Sequence, residues 1–239
     1  MHSTTILGQL ITMAKPEEVK ALLRSQLQAG NSYRIATVNP EFLVEAFYNP
    51  AFRQSLEQAD IRLADGVGIT VVAKFLGQPV RSHERCTGVD LTEMLLTMTQ
   101  EQKLSVLIVY NPTGLTSRER LLQWLQSQYP TLDVSVISAD HNLADYHSVA
   151  VVLNALGAPE QEHWLNDHFM EFPRAILVGV GGTFDMLSGT IRRAPLVVRR
   201  FGFEWLWRLL MQPERRLNRL RRIVRATVVF PWLVITHKH

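Results

Sequence analysis

Residues 34–68, RIATVNPEFLVEAFYNPAFRQSLEQADIRLADGVG, decide the fold. Residues 34–38 form a β-rich run, a helical pattern covers about 41–58, and residues 61–64 form a second strand that Asp65-Gly66 ends. A further helix is predicted over about 67–76. The same rhythm extends in both directions. Upstream, Lys15-Pro16-Glu17-Glu18 opens a helix, with proline in the first turn and acids favoured by the helix dipole. That helix runs to about Gln28, where Gly30-Asn31 stops it. Downstream, Thr87 is the predicted N-cap of a helix near 89–99. Val/Ile/Leu runs at 105–109, 134–137, 150–154 and 175–178 then alternate with helical patterns at about 116–128 and 159–170. Continuous apolar strands alternating with helices specify an α/β fold, with a mainly parallel sheet covered by helices on both faces.

In such folds ligands sit at the carboxyl ends of strands. That places Thr37-Val-Asn39, Asp65-Gly66, Tyr110-Asn111, residues 154–157 and residues 179–182 where chemistry is expected. Asp65 follows a strand directly, so its carboxylate could act as a general base or a metal ligand, or simply shape an Asp-Gly turn. Thr37 and Asn39 could converge on the same crevice or cap the next helix. Arg85, in a loop between Glu84 and Gly88, suits a diphosphate through its planar fork, or a surface ion pair. Gly179-Val-Gly181-Gly182 follows a strand and opens a helix, so its amides could hold a phosphate. It falls short of a full GxGxxG, and no P-loop lysine accompanies it. Gln161-Glu162 marks a strand–turn–helix junction.

Composition narrows the function classes. With 239 residues, 46% apolar and 20% charged, the chain is one domain, alone or with an appendage, and wholesale disorder is excluded. Its one cysteine, Cys86, excludes an intramolecular disulfide framework and a Cys-rich zinc site, and reads as a plain buried or loop thiol. No HExxH, CxxC, GxSxG or DxD is present, so nothing visible requires a metal. The N-terminal stretch lacks the n-region, apolar core and cleavage site of a signal peptide, and no apolar run reaches the ~20 residues of a membrane span. The expectation is a cytoplasmic, non-secreted protein.

The net charge of +3 conceals a division. Residues 191–239 carry eleven Arg and one Lys against Glu204 and Glu214, a net +10, whereas residues 1–190 carry −7. A boundary near residue 190 is therefore expected, with an anionic partner for the tail. Residues 201–211, FGFEWLWRLLM, are dense in aromatics, and Pro213 opens a helical pattern. On a 3.6-residue wheel Leu217, Leu220, Ile223, Val224 and Val228 share an arc, with Arg215, Arg219 and Arg222 opposite, Arg221 and Arg225 on the flank, and Arg216 at the apolar edge. Residues 227–235 are interrupted by Pro231. This pattern suits a helix lying in a membrane interface with Trp205, Trp207 and Trp232 as anchors. The alternatives are packing on the body and nucleic-acid binding; interleaved apolar and tryptophan residues favour lipid over a duplex.

These positions together resemble the WecG/TagA/CpsF family, glycosyltransferase family 26. The blocks run in order: residues 37–40; residues 59–69 around Asp65-Gly66; residues 84–91 from Glu84-Arg85; and residues 155–162 ending in Gln161-Glu162. They continue with residues 179–185 from Gly179 to Asp185, residues 189–195, and Gly202 through Arg208 to Pro213. The resemblance implies a Rossmann-like core and a basic α-helical C-terminal appendage that engages the membrane. It implies inverting, metal-independent transfer of a sugar, N-acetylmannosamine or a related one, from a UDP-activated donor. The acceptor is a polyprenyl-diphosphate-linked sugar at the cytoplasmic membrane face, in surface polysaccharide assembly. Self-association is known in the family, and a homo-oligomer is possible here; no nucleic-acid partner is expected. A nucleotide- or nucleic-acid-binding module, or a non-catalytic membrane scaffold, is the alternative.

Carried over residue by residue, the resemblance makes Asp65 the general base for the acceptor hydroxyl. Thr37, Asn39 and Gln161 would position the sugars, with Gly66 beside them. Arg85 and the appendage arginines Arg208, Arg215, Arg216, Arg219 and Arg222 would offset diphosphate charge on UDP or on the lipid carrier. Gly179 and Gly181 would permit close backbone approach, and Asp185 would orient a ribose or a neighbouring arginine. The chain departs from the family pattern at Val109-Tyr110-Asn111, at residues 138–143 and at Cys86-Thr87, departures that bear on donor identity.

Overall fold

The computed structural model describes residues 1–81, 84–192, 195, 207 and 216–237. Eight strands make one sheet in the order β1-β2-β4-β3-β8-β7-β5-β6. They are β1 (His2–Ile6), β2 (Gln9–Met13), β3 (Tyr33–Val38), β4 (Ile61–Ala64), β5 (Val106–Val109), β6 (Val134–Ile137), β7 (Val151–Asn154) and β8 (Ile176–Gly179). Among the described residues only β1 and β2 pair antiparallel; every other pairing is parallel.

The continuous apolar runs have a direct physical reason. Successive strand side chains point to opposite faces, and both faces here are covered. In β5, Val106 and Ile108 join one core with Val151, Leu153, Ile176 and Val178, while Leu107 and Val109 join another with Val152 and Leu177. The first face is covered by α1 (Pro16–Ala29), α5 (Gly88–Gln102), α6 (Arg118–Gln128) and α8 (Thr183–Leu187), through Leu23, Leu95, Leu125 and Phe184 among others. The second is covered by α2 (Pro40–Tyr48), α3 (Pro50–Glu57), α4 (Val67–Phe75) and α7 (Glu160–Asp167).

One local expectation is corrected, and two features go beyond what the sequence announced. The helix predicted over 41–58 is two helices, because Asn49 ends α2 and caps α3, accepting from the Phe52 N–H at 3.1 Å, with Pro50 locking the first turn of α3. The β1–β2 hairpin was not anticipated; it turns through Leu7 and Gly8, both at positive φ. At the C-terminus, Pro231 does not interrupt the helix. Helix α9 (Arg216–Val224) passes through a π-helical turn at Arg225–Val229 into α10 (Phe230–Thr236). There the Phe230 N–H donates five residues back to the Arg225 carbonyl, so the chain is already re-registered where proline lacks its donor.

This C-terminal helix packs on α2. Phe230, Leu233 and Val234 are buried in the core that contains Val38, Phe42, Leu43 and Ala64. Complete burial is worth about 1.5–3 kcal/mol for each large apolar side chain. These three buried residues lie beyond the apolar arc drawn on the wheel, of which Ile223 is half-buried. Leu220, Val224 and Val228, with Trp232 and Ile235, face away from the body and are 45–61% exposed. Among the described residues no helix is long and apolar enough to cross a membrane. Residues 201–206, Arg208 and Arg215 lie outside the described residues, as do the side chains of Arg216 and Arg219.

Candidate active site

The carboxyl ends of β3, β4, β5, β7 and β8 surround a cleft of 330 Å³. Its walls include Thr37, Asn39, Asp65, Gln161, Gly181, Asp185 and Arg222, seven of the positions singled out from the sequence. Gly66 stands next to Asp65, and Arg85 is half-buried in the segment that leads into α5. Neither lines the cleft, and nor does Gly179.

Backbone geometry aims Asp65. Its N–H donates to the Val38 carbonyl at 2.8 Å, which fastens the end of β4 to that of β3. Gly66 then takes φ +86°, a conformation L side chains rarely adopt, so the chain can turn from strand to α4 within two residues. The Cys86 N–H donates to the Ala64 carbonyl at 3.0 Å and holds the following segment against the same strand end. Burial first, and then the Asp90 and Asp65 carboxylates, push the Cys86 thiol well above its ordinary range, and it is the buried thiol that the sequence suggested.

Asn39 both caps and lines: its Oδ1 accepts from the Phe42 N–H at 3.1 Å, which leaves its amide nitrogen for the cleft. Thr37 is buried, and its hydroxyl donates to the Gly179 carbonyl at 3.4 Å.

The glycines after β8 have partners within the protein. Gln161 Oε1 accepts from the Gly181 N–H at 2.9 Å, and Gln161 Nε2 donates to Glu162 Oε1 at 2.6 Å. A Cβ on Gly179 would overlap Gln161 Nε2 and lie 2.8 Å from Gln161 Cδ and from Glu162 Oε1. The close approach at Gly179 is therefore made by these two side chains. Burial raises the Glu162 carboxyl to about 8, against the opposing pull of the Gln161 hydrogen bond.

On the opposite wall, Thr116 donates to Asp185 Oδ1 at 2.7 Å, with the Ser188 and Thr190 hydroxyls 3.3 and 3.1 Å from the same oxygen of Thr116. Arg222 enters from the C-terminal helix, its Nε donating to Glu41 Oε2 at 2.6 Å. Arg225 pairs likewise with Glu45 at 2.9 Å. Among the described residues no three His, Cys, Asp or Glu side chains cluster so as to hold a metal ion.

A cleft at strand ends, carrying one carboxylate on a strand terminus and amides and hydroxyls around it, can bind a polyhydroxylated ligand and remove a proton from it. The model of the "Glycosyl transferase WecG/TagA/CpsF family" matches residues 4–239. The chain belongs to this glycosyltransferase family. Similar proteins include one from Bacillus spizizenii (strain W23), 35% identical over 206 residues that cover 82% of this chain and 78% of the relative. Another, from Staphylococcus aureus (strain MRSA252), is 29% identical over 220 residues, 87% of this chain and 82% of the relative. A third, from Bacillus subtilis (strain 168), is 28% identical over 190 residues, 76% and 72% respectively. Each is named N-acetylglucosaminyldiphosphoundecaprenol N-acetyl-beta-D-mannosaminyltransferase.

This glycosyltransferase also lines its cleft with Thr87 and Thr116, to which the sequence gave no ligand role, and with Tyr110 and Asn111, which the strand-end rule had placed there. Tyr110 and Asn111 directly follow β5, whereas Thr87 is the N-cap of α5 and Thr116 lies in the loop before α6, positions that strand ends do not announce. Asn111 spans two loops, donating to the Leu156 carbonyl at 3.0 Å and accepting from the Thr113 N–H at 2.9 Å.

Proposed function

We propose that this enzyme transfers an N-acetylhexosamine, with N-acetylmannosamine the first candidate, from a UDP-sugar to N-acetylglucosamine linked to a polyprenyl diphosphate. The observation that carries the reading is the position of Asp65. It is a carboxylate at a strand terminus on the wall of the family's glycosyltransferase cleft, with Thr37, Asn39 and Gln161 around it. The names of the relatives support the lipid-linked acceptor and the N-acetylmannosaminyl group.

In this reading Asp65 takes the proton from the acceptor hydroxyl as its oxygen attacks the anomeric carbon. UDP departs from the opposite face, so the configuration inverts. Arg222 and the other tail arginines, with Arg85 two residues before the cleft-lining Thr87, meet the diphosphate charge, and no metal is required for it. The exposed stripe Leu220, Val224, Val228, Trp232 and Ile235 lies on the cytoplasmic face of the membrane, where the acceptor is anchored. Self-association is part of the same reading, as are a catalytic body of residues 1–190 and an appendage of residues 191–239.

The test is UDP release from a panel of UDP-hexoses and UDP-N-acetylhexosamines, with a polyprenyl-diphosphate-linked N-acetylglucosamine in mixed micelles, with and without EDTA. Acceptor-dependent release with one donor, insensitive to EDTA and lost in Asp65→Asn while UDP-sugar binding persists, supports the reading. Asp65→Asn turnover within a few-fold of wild type removes Asp65 as the base.

A further inference from the structure

Behind the cleft, three groups form a chain of hydrogen bonds: Glu162 Oε1, the Gln161 amide and the Gly181 N–H. A backbone N–H can only donate, so Gln161 must turn its oxygen to Gly181 and its nitrogen to Glu162. Both side chains are almost fully buried, but only Gln161 borders the cleft. What Gln161 can present to a ligand is its second amide hydrogen and its second oxygen lone pair. Their direction is set by the two partners already engaged.

The geometry points to Glu162 as a positioning residue that acts on bound substrate through the Gln161 amide and touches no reacting atom. The inference rests on the glycosyl-transfer reading above. Gly179 is part of the device, since only a residue without a side chain lets both groups lie against the end of β8. The Thr37 hydroxyl, bonded to the Gly179 carbonyl, ties the opposite side of that strand end to the same assembly.

Because Oε1 must accept from Gln161, a proton on Glu162 resides on Oε2, which is buried and has no hydrogen-bond partner among the described residues. The charged and titratable groups around Glu162 are Arg34 of β3, which borders the same 20 Å³ cavity, and Glu160 and His163 on its own helix. Burial holds the carboxyl protonated until about pH 8. Above that, the anionic oxygen grips the Gln161 amide more strongly. The Gln161 contact is therefore linked to the protonation of a group outside the cleft.

The experiment compares Glu162→Met, Glu162→Gln, Gln161→Ala and the Gln161→Ala/Glu162→Met double variant, reading kcat and KM separately. The expected result is a loss of about tenfold in kcat for Glu162→Met, with no further loss when it is added to Gln161→Ala. Glu162→Gln, which keeps an oxygen for the Gln161 amide, restores most of the kcat. A Glu162→Met enzyme within about twofold of wild type, or losses that multiply in the double variant, overturns the proposal.

A second arm needs no turnover. The side-chain amide resonance of Gln161, assigned by its disappearance in Gln161→Ala, should titrate with a midpoint near pH 8 in wild type and not in Glu162→Gln. A resonance indifferent to pH overturns the coupling. Silence of wild type across the donor panel would count against the reaction alone, because the amide titration still decides the coupling.

Discussion

Arg222 on the C-terminal helix donates to Glu41 on α2 at 2.6 Å and at the same time borders the cleft that contains Asp65. Glu41 is two residues beyond Asn39, so the pair joins the tail to the strand end that forms the site. Both partners reach solvent, and such pairs contribute about 0–1 kcal/mol. Docking of the helix therefore depends on Phe230, Leu233 and Val234, and the arginine is available for function.

The two contributions separate by mutation. Leu233→Ala should destabilise the fold by about 2–5 kcal/mol in urea denaturation, because it opens a cavity in a closed core. Arg222→Ala should cost under about 1 kcal/mol yet lower kcat/KM by about tenfold or more. Equal loss of stability in the two variants would show that the ion pair, and not the apolar contact, docks the helix.

Gly179→Ala should reduce turnover more than stability. The added methyl meets the far ends of Gln161 and Glu162, which can swing aside at a modest cost of about 1–2 kcal/mol. Swinging aside breaks the Gly181 contact that orients the amide. A drop in kcat comparable to that of Gln161→Ala, with a small shift in melting temperature, is expected; unchanged kcat would show that the amide needs no such support.

Glu162 also gives stability a pH dependence of predictable sign. Its ordinary ionisation lies near 4.5, and burial moves it to about 8 in the folded state. Between those values the native protein holds a proton that the unfolded chain has released. Unfolding free energy should thus fall as pH rises through this window, by up to about 1.4 kcal/mol per unit, and level off above it. Subtracting the Glu162→Gln profile isolates this component in urea titrations from pH 5 to 9. Parallel profiles would mean that Glu162 ionises normally.

The outward stripe should govern lipid binding without affecting the fold. Val224→Asp with Val228→Asp changes exposed positions, where substitutions usually alter stability by less than about 0.5 kcal/mol. Sedimentation with anionic vesicles should drop several-fold, while the melting temperature and UDP-sugar binding persist. Undiminished sedimentation would assign lipid contact to another surface.

Strands β5, β7 and β8 were legible because burial on both faces leaves a nearly unbroken apolar run, and β3, β4 and β6 because β-branched and aliphatic residues still dominate short segments between turn signals. The hairpin was not: β1 reads His-Ser-Thr-Thr-Ile, and its turn, Leu7-Gly8, lacks the Asn-Gly or Asp-Gly that announces a hairpin. The break at Asn49-Pro50 carried a cap signal that the surrounding apolar pattern obscured. Asp65, Thr37 and Asn39 could be found at strand ends, where parallel sheets gather ligands, whereas Gln161 lies on α7 and was nominated only by the family resemblance. The role of Glu162 could not, because it depends on a contact between neighbours in sequence that only the packing against Gly179 defines. The tail's apolar wheel was visible, but which side met the body depended on α2, a partner far away in sequence.

One continuous helical segment, α9 through α10, carries the outward apolar stripe and the Arg222 that borders the cleft, and it is anchored to the body at Phe230 and Leu233. With the stripe seated in a lipid surface, the cleft stands at a fixed height above the headgroups. The enzyme would then work as a ruler. An acceptor whose first sugar sits directly on its diphosphate would come within reach, whereas one already lengthened would present its hydroxyl too far out. Addition should stop after a single sugar, and a lipid-linked disaccharide offered in place of the monosaccharide should remain unextended.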